Sequence, residues 1–415
     1  MSESLPAAAP PPADERLVQR AGLLGYVDEF TSKVRSGELG ALPVVVGLII
    51  IVAIFQSLND IFLSSFNLVS IAQFIAATGI ISIGVVLVLL LGEIDLSVGA
   101  VSGAAAAALA ILHVNQGFSA WAAIASALAF GALIGLLHGL VFTKLGVPSF
   151  VVTLAGLLIW QGAQLRILGS TGSVNLPPNG FILEFGQRDF VNANVAYVVA
   201  AVAVVAVFLA QARAAMKRRA AELPARPLLE IAIRNAALLL LLWVAVWAVS
   251  GDPDRAVPYI LLLFLVLVFT VDWVLRRTRY GRMIYAIGGN IEAARRAGIN
   301  VDAVRTSVFV LASMFAALGG IVGAAYLGSV NQQTGGGDTL INAIAAAVIG
   351  GTSLFGGRGR AQSALLGMLV IGAIANGLLL QNLRTEDRYM ITGAVLLASV
   401  VIDALARRGR QQTGR

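Results

Sequence analysis

What this chain can fold into is limited above all by a series of about twelve apolar runs. Each is close to the ~20 residues that the hydrocarbon core of a bilayer requires. They cover approximately residues 41–58, 66–91, 96–113, 119–142, 149–168, 194–212, 232–250, 256–275, 304–328, 340–357, 361–380 and 388–406. Of the 415 residues 58% are hydrophobic and 12% charged, whereas a soluble domain carries roughly 25% charge. A backbone crossing hydrocarbon must satisfy its own hydrogen bonds, and runs of this length do so as helices. The expected fold class is an all-α polytopic membrane protein with about 12 transmembrane helices. A polar segment at 1–40 precedes the transmembrane domain at 41–406, and a tail at 407–415 follows it.

Charge placement orients the bundle. Of the 29 lysines and arginines, all but Arg166, Arg188, Arg255, Arg384 and Arg388 fall on one side of the predicted spans. Positively charged loops stay in the cytoplasm, so both termini are expected inside. Residues 1–40 do not read as a cleavable signal, because acidic residues precede the first long apolar run near Ala41. The basic segment 213–234 is expected to meet anionic lipid. On the outer side the longest loop, 169–193, is rich in Gly, Pro and Asn and reads as a chain of turns.

Several chemistries are excluded. With no cysteine there are no disulfides, thiolate nucleophiles or Cys-type zinc sites. The two histidines, His113 and His138, lack carboxylates at ligand spacing and read as helix-end polar residues, so no metal is expected. None of Lys33, Lys144 and Lys217 follows a glycine, which rules out a G-x-x-x-x-G-K-[ST] phosphate loop. No nucleophile–base pairing is evident, so the chain is not expected to be an enzyme or to hold a cofactor. The basic residues flank spans rather than forming a face with interleaved aromatics, which argues against nucleic acid.

One polar stretch interrupts this pattern. Arg276–Arg305 carries seven arginines and cannot lie in hydrocarbon. Within it Gly288-Gly289 breaks the chain, Asn290 is placed to cap a short helix, and Gly298 to end it. Glu292 stands near the positive end of that helix and Arg295 near the negative end. Ala293, Ala294 and Ala297 give it a low, smooth face on which a separate cytoplasmic protein can lie.

Two further breaks fall between apolar runs. Gly92-Glu93-Ile94-Asp95-Leu96-Ser97-Val98-Gly99 brings two carboxylates with no base nearby in sequence, and acids at such depth are functional by default. Asp95 is also positioned to accept from the N–H of Ser97 or Val98 and so to restart a helix. The second break, Ile349 to Arg360, holds too many glycines for a continuous helix. Its place in the second half matches that of the first break in the first half, which points to two related halves, spans 2–5 and 9–12.

Gly92 to Gly99 resembles the G-I-D-L-S-x-G pattern of permease subunits of bacterial monosaccharide ABC importers. Ala286–Asn290 through Ala297–Val301 is similar to that family's cytoplasmic coupling segment. Asp338 to Arg360, with Gly350-Gly351-Thr352-Ser353-Leu354, is similar to its late Gly-rich motif. The likeness extends over roughly residues 60–170 and 270–405. Glu93 departs from it, replacing an apolar residue, and an additional pair of spans near 194–250 makes the chain resemble the xylose type most.

The resemblance implies a transport subunit in a bacterial inner membrane, with three kinds of partner. These are a cytoplasmic ABC ATPase subunit at Gly288, Gly289, Asn290, Glu292, Ala293, Ala294, Arg295 and Gly298, an extracytoplasmic sugar-binding protein, and a second permease copy. Polar residues expected along the sugar path are Glu93, Asp95, Ser97, Gln161 and Gln164, the last two beside Trp160, itself expected mainly to pack. Arg188, Arg255, Arg384 and Arg388 are expected to meet acids on the binding protein. An ion-coupled secondary sugar transporter, or a permease for another solute such as branched-chain amino acids, stays open at this point. A membrane scaffold leaves the acids and glycines unexplained.

Overall fold

The computed structural model describes residues 42–397 and 401, apart from 224, 385 and 396. The expected segments 1–40 and 407–415 lie outside the described residues, as does most of the expected last span. The helices are α1 (Leu42–Leu58), α2 (Ser65–Leu90), α3 (Val98–Ala110), α4 (Ala120–Lys144), α5 (Ser149–Leu168), α6 (Ala193–Ala220) and α7 (Leu228–Val249). They continue with α8 (Tyr259–Arg277), α9 (Arg279–Gly289), α10 (Ile291–Arg296), α11 (Val301–Leu327), α12 (Gly337–Ile349) and α13 (Gln362–Leu380). Among the described residues nine helices are long and apolar enough to cross a membrane. Two other expected spans form shorter apolar helices, α1 and α12, and helical residues resume at 386–395.

The chain divides into two compact units. Among the described residues, one contains those within 197–244, the other those within 42–196 and 245–401. In the first, Asn235 Nδ2 donates to Gln211 Oε1 at 3.1 Å, and Trp243 Nε1 donates to the Tyr197 carbonyl at 3.3 Å. Two polar pairs thus fix the register of an otherwise apolar hairpin. Glu230, with Arg226 and Arg234 one turn to either side, closes its polar end.

In the larger unit α2 lies at the centre. Ile80, Ile83, Val86 and Leu90 are fully buried, and so are Val308, Phe309, Ala312 and Ala316 of α11. Lipid tails are as apolar as leucine, so helices in a membrane gain little from burial and much from close van der Waals packing. Small residues permit it here: a Cβ on Gly84 of α2 would lie 2.8 Å from the Ala312 carbonyl oxygen. Helices α4 and α11 run antiparallel, with Lys144 by Asp302, Thr143 by Thr306 and Gly135 by Phe309.

The connections sort into two groups. Residues around 90–95, 144–149, 278–305 and 356–362 are joined to one another by the bonds described below. The other group contains two short antiparallel ribbons, β1 (Ser173–Asn175) with β4 (Ser329–Asn331), and β2 (Phe190–Val191) with β3 (Val257–Pro258). The loop 169–193 is therefore more than a chain of turns, because two of its segments find strand partners far along the chain. The sorting agrees with the alternation that the charge pattern predicts for these loops. Each half also carries a short helix beside a non-helical break: α3, almost wholly buried, after 91–97, and α12, buried along Ala343–Val348 apart from Ile344, before 350–361.

Candidate functional site

Three polar stretches that are far apart in sequence meet at one point. Helix α2 ends at Leu90–Leu91 and the chain turns at Gly92, whose φ of 80° is the left-handed value that glycine adopts most easily. The Leu90 carbonyl accepts from the N–H of Gly357 at 2.9 Å. Between these two breaks sits Gly288, near the end of α9. A Cβ there would run into the Leu90 carbonyl oxygen and lie 2.6 Å from the Gly357 nitrogen. Gly356, at φ 81°, would place a Cβ 2.7 Å from the Gly288 carbonyl oxygen and 2.9 Å from Gly92. Bare backbone from three segments packs where no side chain fits. Tyr285, one turn before Gly288, adds a bond from its hydroxyl to the Gly359 carbonyl at 2.8 Å.

Asp95 is 4% exposed. Its Oδ1 accepts from the Ser97 N–H at 2.8 Å and from Ser97 Oγ at 2.6 Å, which shapes the turn that starts α3. Its Oδ2 is buried with no hydrogen-bond partner among the described residues. Ser97 Oγ lies 3.4 Å from His138 Nδ1, and His138 Nε2 is 3.0 Å from Trp160 Nε1. An indole N–H only donates, so His138 Nε2 accepts and Nδ1 carries the proton. The chain of bonds then runs in one direction, Trp160 to His138 to Ser97 to Asp95, linking α5, α4 and the first break. His138 is 3% exposed and lies inside α4, six residues before its last, Lys144, so it is not the helix-end residue expected. His113 does lie at a helix end, 2.8 Å from the Phe118 carbonyl.

Glu93 also corrects the sequence reading, which gave it no base. Arg305 Nη2 donates to Glu93 Oε1 at 2.7 Å, with both side chains 15% exposed. Ser149 Oγ donates to Glu93 Oε2 at 2.7 Å, and the Arg305 guanidinium stands 4.8 Å from the centre of the Phe142 ring. The base comes from the far end of the polar stretch 276–305. Removing one member of such a half-buried pair leaves the other charge uncompensated, at a cost of about 3 kcal/mol.

Within that stretch Asn290 Oδ1 accepts from the Ala293 N–H at 2.9 Å and caps α10. Arg295 and Glu292 pair at 3.0 Å on its exposed side. Gly298, at φ 80°, ends it, with the Ile299 N–H returning to the Ala294 carbonyl at 3.1 Å. Ala294 is 4% exposed and turns into the bundle, so Ala293 and Ala297, without Ala294, form the exposed small face. Gly289 is exposed, with open space where a Cβ would stand.

Gln164 and Gln161 part company. Gln164 is 2% exposed, and its Nε2 donates to the Asn331 and Thr334 carbonyls at 2.9 Å each. That turn packs against the start of α3, where a Cβ on Gly99 would lie 2.7 Å from the Gly335 carbonyl oxygen. Gln161 is exposed on another face of α5. Trp160 packs edge-on against Phe130, ring centres 5.9 Å apart. Of the outer arginines, Arg255 lies 4.7 Å from the ring centre of Phe190, which stands on the β2–β3 ribbon two residues after Arg188. Arg384 and Arg388 are one helical turn apart elsewhere, Arg384 being 81% exposed and 3.9 Å from Glu386.

Sequence reasoning missed Arg305, Ser149, His138 and Tyr285 as members of this site. Arg305 was visible as one arginine among seven, but nothing local tied it to Glu93.

Comparison with known proteins gives a consistent result. Residues 67–400 match the family described as branched-chain amino acid transport system / permease component. The xylose transport system permease protein of Escherichia coli is 32% identical over 378 residues, covering 91% of this chain and 95% of the relative. Its counterpart in Haemophilus influenzae is 31% identical over 372 residues, covering 89% and 98%. The ribose import permease protein of Escherichia coli is 31% identical over 362 residues, covering 86% and 92%. No solved structure matches. The chain thus belongs to the branched-chain amino acid transport system / permease component family, as a multi-pass permease subunit of the inner membrane and not an enzyme.

Proposed function

We propose that this chain is the membrane-spanning permease of an ATP-binding cassette sugar importer, moving xylose or a related pentose. An extracytoplasmic binding protein delivers the sugar, a separate cytoplasmic ATPase drives its passage, and a second copy of the chain completes the membrane part. The observation that carries this reading is the wedge of Gly288 between the two breaks. Any displacement of α10 by an ATPase acts through α9 on both breaks at once, because no side chain cushions the contact. Asp95 Oδ2, buried and unsatisfied, is the acceptor that a sugar hydroxyl needs, with Glu93, Ser97, Gln161 and Gln164 as further polar groups of the path. Arg188, Arg255, Arg384 and Arg388 are the docking residues for the binding protein, and both termini face the cytoplasm.

Sugar is favoured because the xylose and ribose permeases align with about nine tenths of the chain. The family's own description favours a second reading, transport of a branched-chain amino acid. The test is reconstitution of the chain with its ATPase and purified binding proteins in proteoliposomes. ATP-dependent uptake of a pentose with a pentose-binding protein supports the proposal; stimulation only by an amino-acid-binding protein transfers it to the second reading. Concentrative uptake by the chain alone under an ion gradient overturns both. Reversing Arg384 and Arg388 to Glu is expected to lower stimulation by the binding protein, and unchanged stimulation removes them from the docking surface.

A further inference from the structure

A groove of about 630 Å³ opens between α4, α9 and α11, apart from the junction and from the chain of bonds at Asp95. Its lining changes character along the two long helices. At the rim stand Lys144 and Asp302, 3.5 Å apart, their side chains 64% and 41% exposed. Further in, Tyr280 and Ser307 share a hydroxyl hydrogen bond of 2.8 Å. Burial pushes the Tyr280 phenol above its ordinary range, so it remains an O–H donor. Farthest along α4 and α11 from that charged end are Leu136, Leu140 and Val310, with Leu136 and Leu140 left 40% and 41% exposed. Leu136 and Val310 lie eight residues from Lys144 and Asp302 respectively, about 12 Å along each helix.

We infer that this groove binds one zwitterionic aminophospholipid, of the phosphatidylethanolamine class, at the charged end of the bundle. The sequence of linings follows the sequence of groups along such a lipid: charged headgroup, then ester and glycerol oxygens, then acyl chain. Helices α4 and α11 are both long and apolar enough to cross a membrane, and the groove follows them away from the charged loops to the exposed Leu136 and Leu140. The rim holds one cation and one anion, which fits a headgroup of the same kind. Lys144 takes the phosphate and Asp302 the primary ammonium. The existing pair is exposed and weak, so it opens readily to admit the headgroup. An anionic headgroup gains Lys144 but meets the Asp302 carboxylate, and a choline headgroup has no N–H to donate. The inference does not depend on which solute is transported.

The full chain, purified into nanodiscs containing equal amounts of ethanolamine, glycerol and choline phospholipids, is analysed for retained lipid by native mass spectrometry. Ethanolamine lipid is expected to be retained roughly fivefold over the other two, the scale of one exposed charged contact. Asp302→Asn is expected to bring it down to the choline level, and Ala303→Trp, which fills the groove, to remove retention of all three. Thermal melting of each variant separates loss of lipid from loss of fold. Equal retention of the three lipids, preference for the glycerol lipid, or retention unchanged in Ala303→Trp overturns the inference. Because the chain has no cysteine, Leu140→Cys supplies a unique probe. A disulfide-linked dimer at that position assigns the groove to a second copy and overturns the lipid.

Discussion

The two breaks solve one problem by opposite means. Both leave backbone out of helical bonding near a membrane, where unsatisfied N–H and C=O groups are expensive. At 91–97 side chains do the work. Asp95 accepts from Ser97, and Glu93 is held by Arg305 and Ser149. At 350–361 backbone bonds do most of it, Thr352 N–H to Ala347, Ser353 N–H to Arg358 and Gly357 N–H to Leu90, with Ser353 Oγ accepting from the Phe355 N–H and the Tyr285 hydroxyl donating to the Gly359 carbonyl. The first break is specified chiefly by its acidic side chains and the second chiefly by its glycines. An isosteric change of charge should therefore injure the first, and a single added methyl the second.

The largest expected effect comes from adding bulk at the junction. Gly288→Val places carbons on the Leu90 carbonyl and the Gly357 nitrogen, and destabilisation of about 4 kcal/mol or more is expected, read as a lower melting temperature with ATP-driven uptake lost. Near-normal melting and uptake would show that the three segments are not rigidly packed. Next is Glu93→Gln, expected to destabilise by about 3 kcal/mol because Arg305 stays half-buried without a counter-charge. The double variant Glu93→Leu with Arg305→Met should recover most of that stability; if it is no better than Glu93→Gln alone, the pair is not what holds the first break.

Asp95→Asn keeps the shape of the turn and replaces the unpartnered Oδ2 with an amide nitrogen, a change of about 1.4 kcal/mol. Uptake should fall roughly tenfold with the protein still in the membrane; full activity reduces Asp95 to a replaceable turn residue. The smallest is Gly298→Ala, which strains a left-handed position by about 1 kcal/mol. Its signature is the ratio of sugar moved to ATP hydrolysed, expected to drop while expression holds. An unchanged ratio there and in Glu292→Ala removes α10 from the coupling path.

Local features were legible from residue order alone because they close within a few residues. Asn290 bonds three residues ahead, Asp95 two, and Gly298 needs only its own backbone. Gly350 to Gly359 declared a break for the same reason. The apolar runs announced spans, although α12 came out shorter than its run. Partners across the bundle left no such mark. Arg305 and Glu93 are 212 positions apart, and His138 and Ser97 are 41 apart. A helix places only neighbours three and four residues away on one face, so no periodicity pairs such residues. Ala294 looked like surface beside Ala293, and its inward turn depended on where α11 runs.

By itself, then, the order of residues determined a helical membrane bundle, its polar interruptions and the caps that bound them, since hydrophobicity and turn chemistry act over one element at a time. Which interruptions touch was decided by the tertiary structure. Close packing of small residues brought Leu90, Gly288 and Gly356 within backbone contact, and only there do an arginine and a glutamate from opposite halves of the chain find each other.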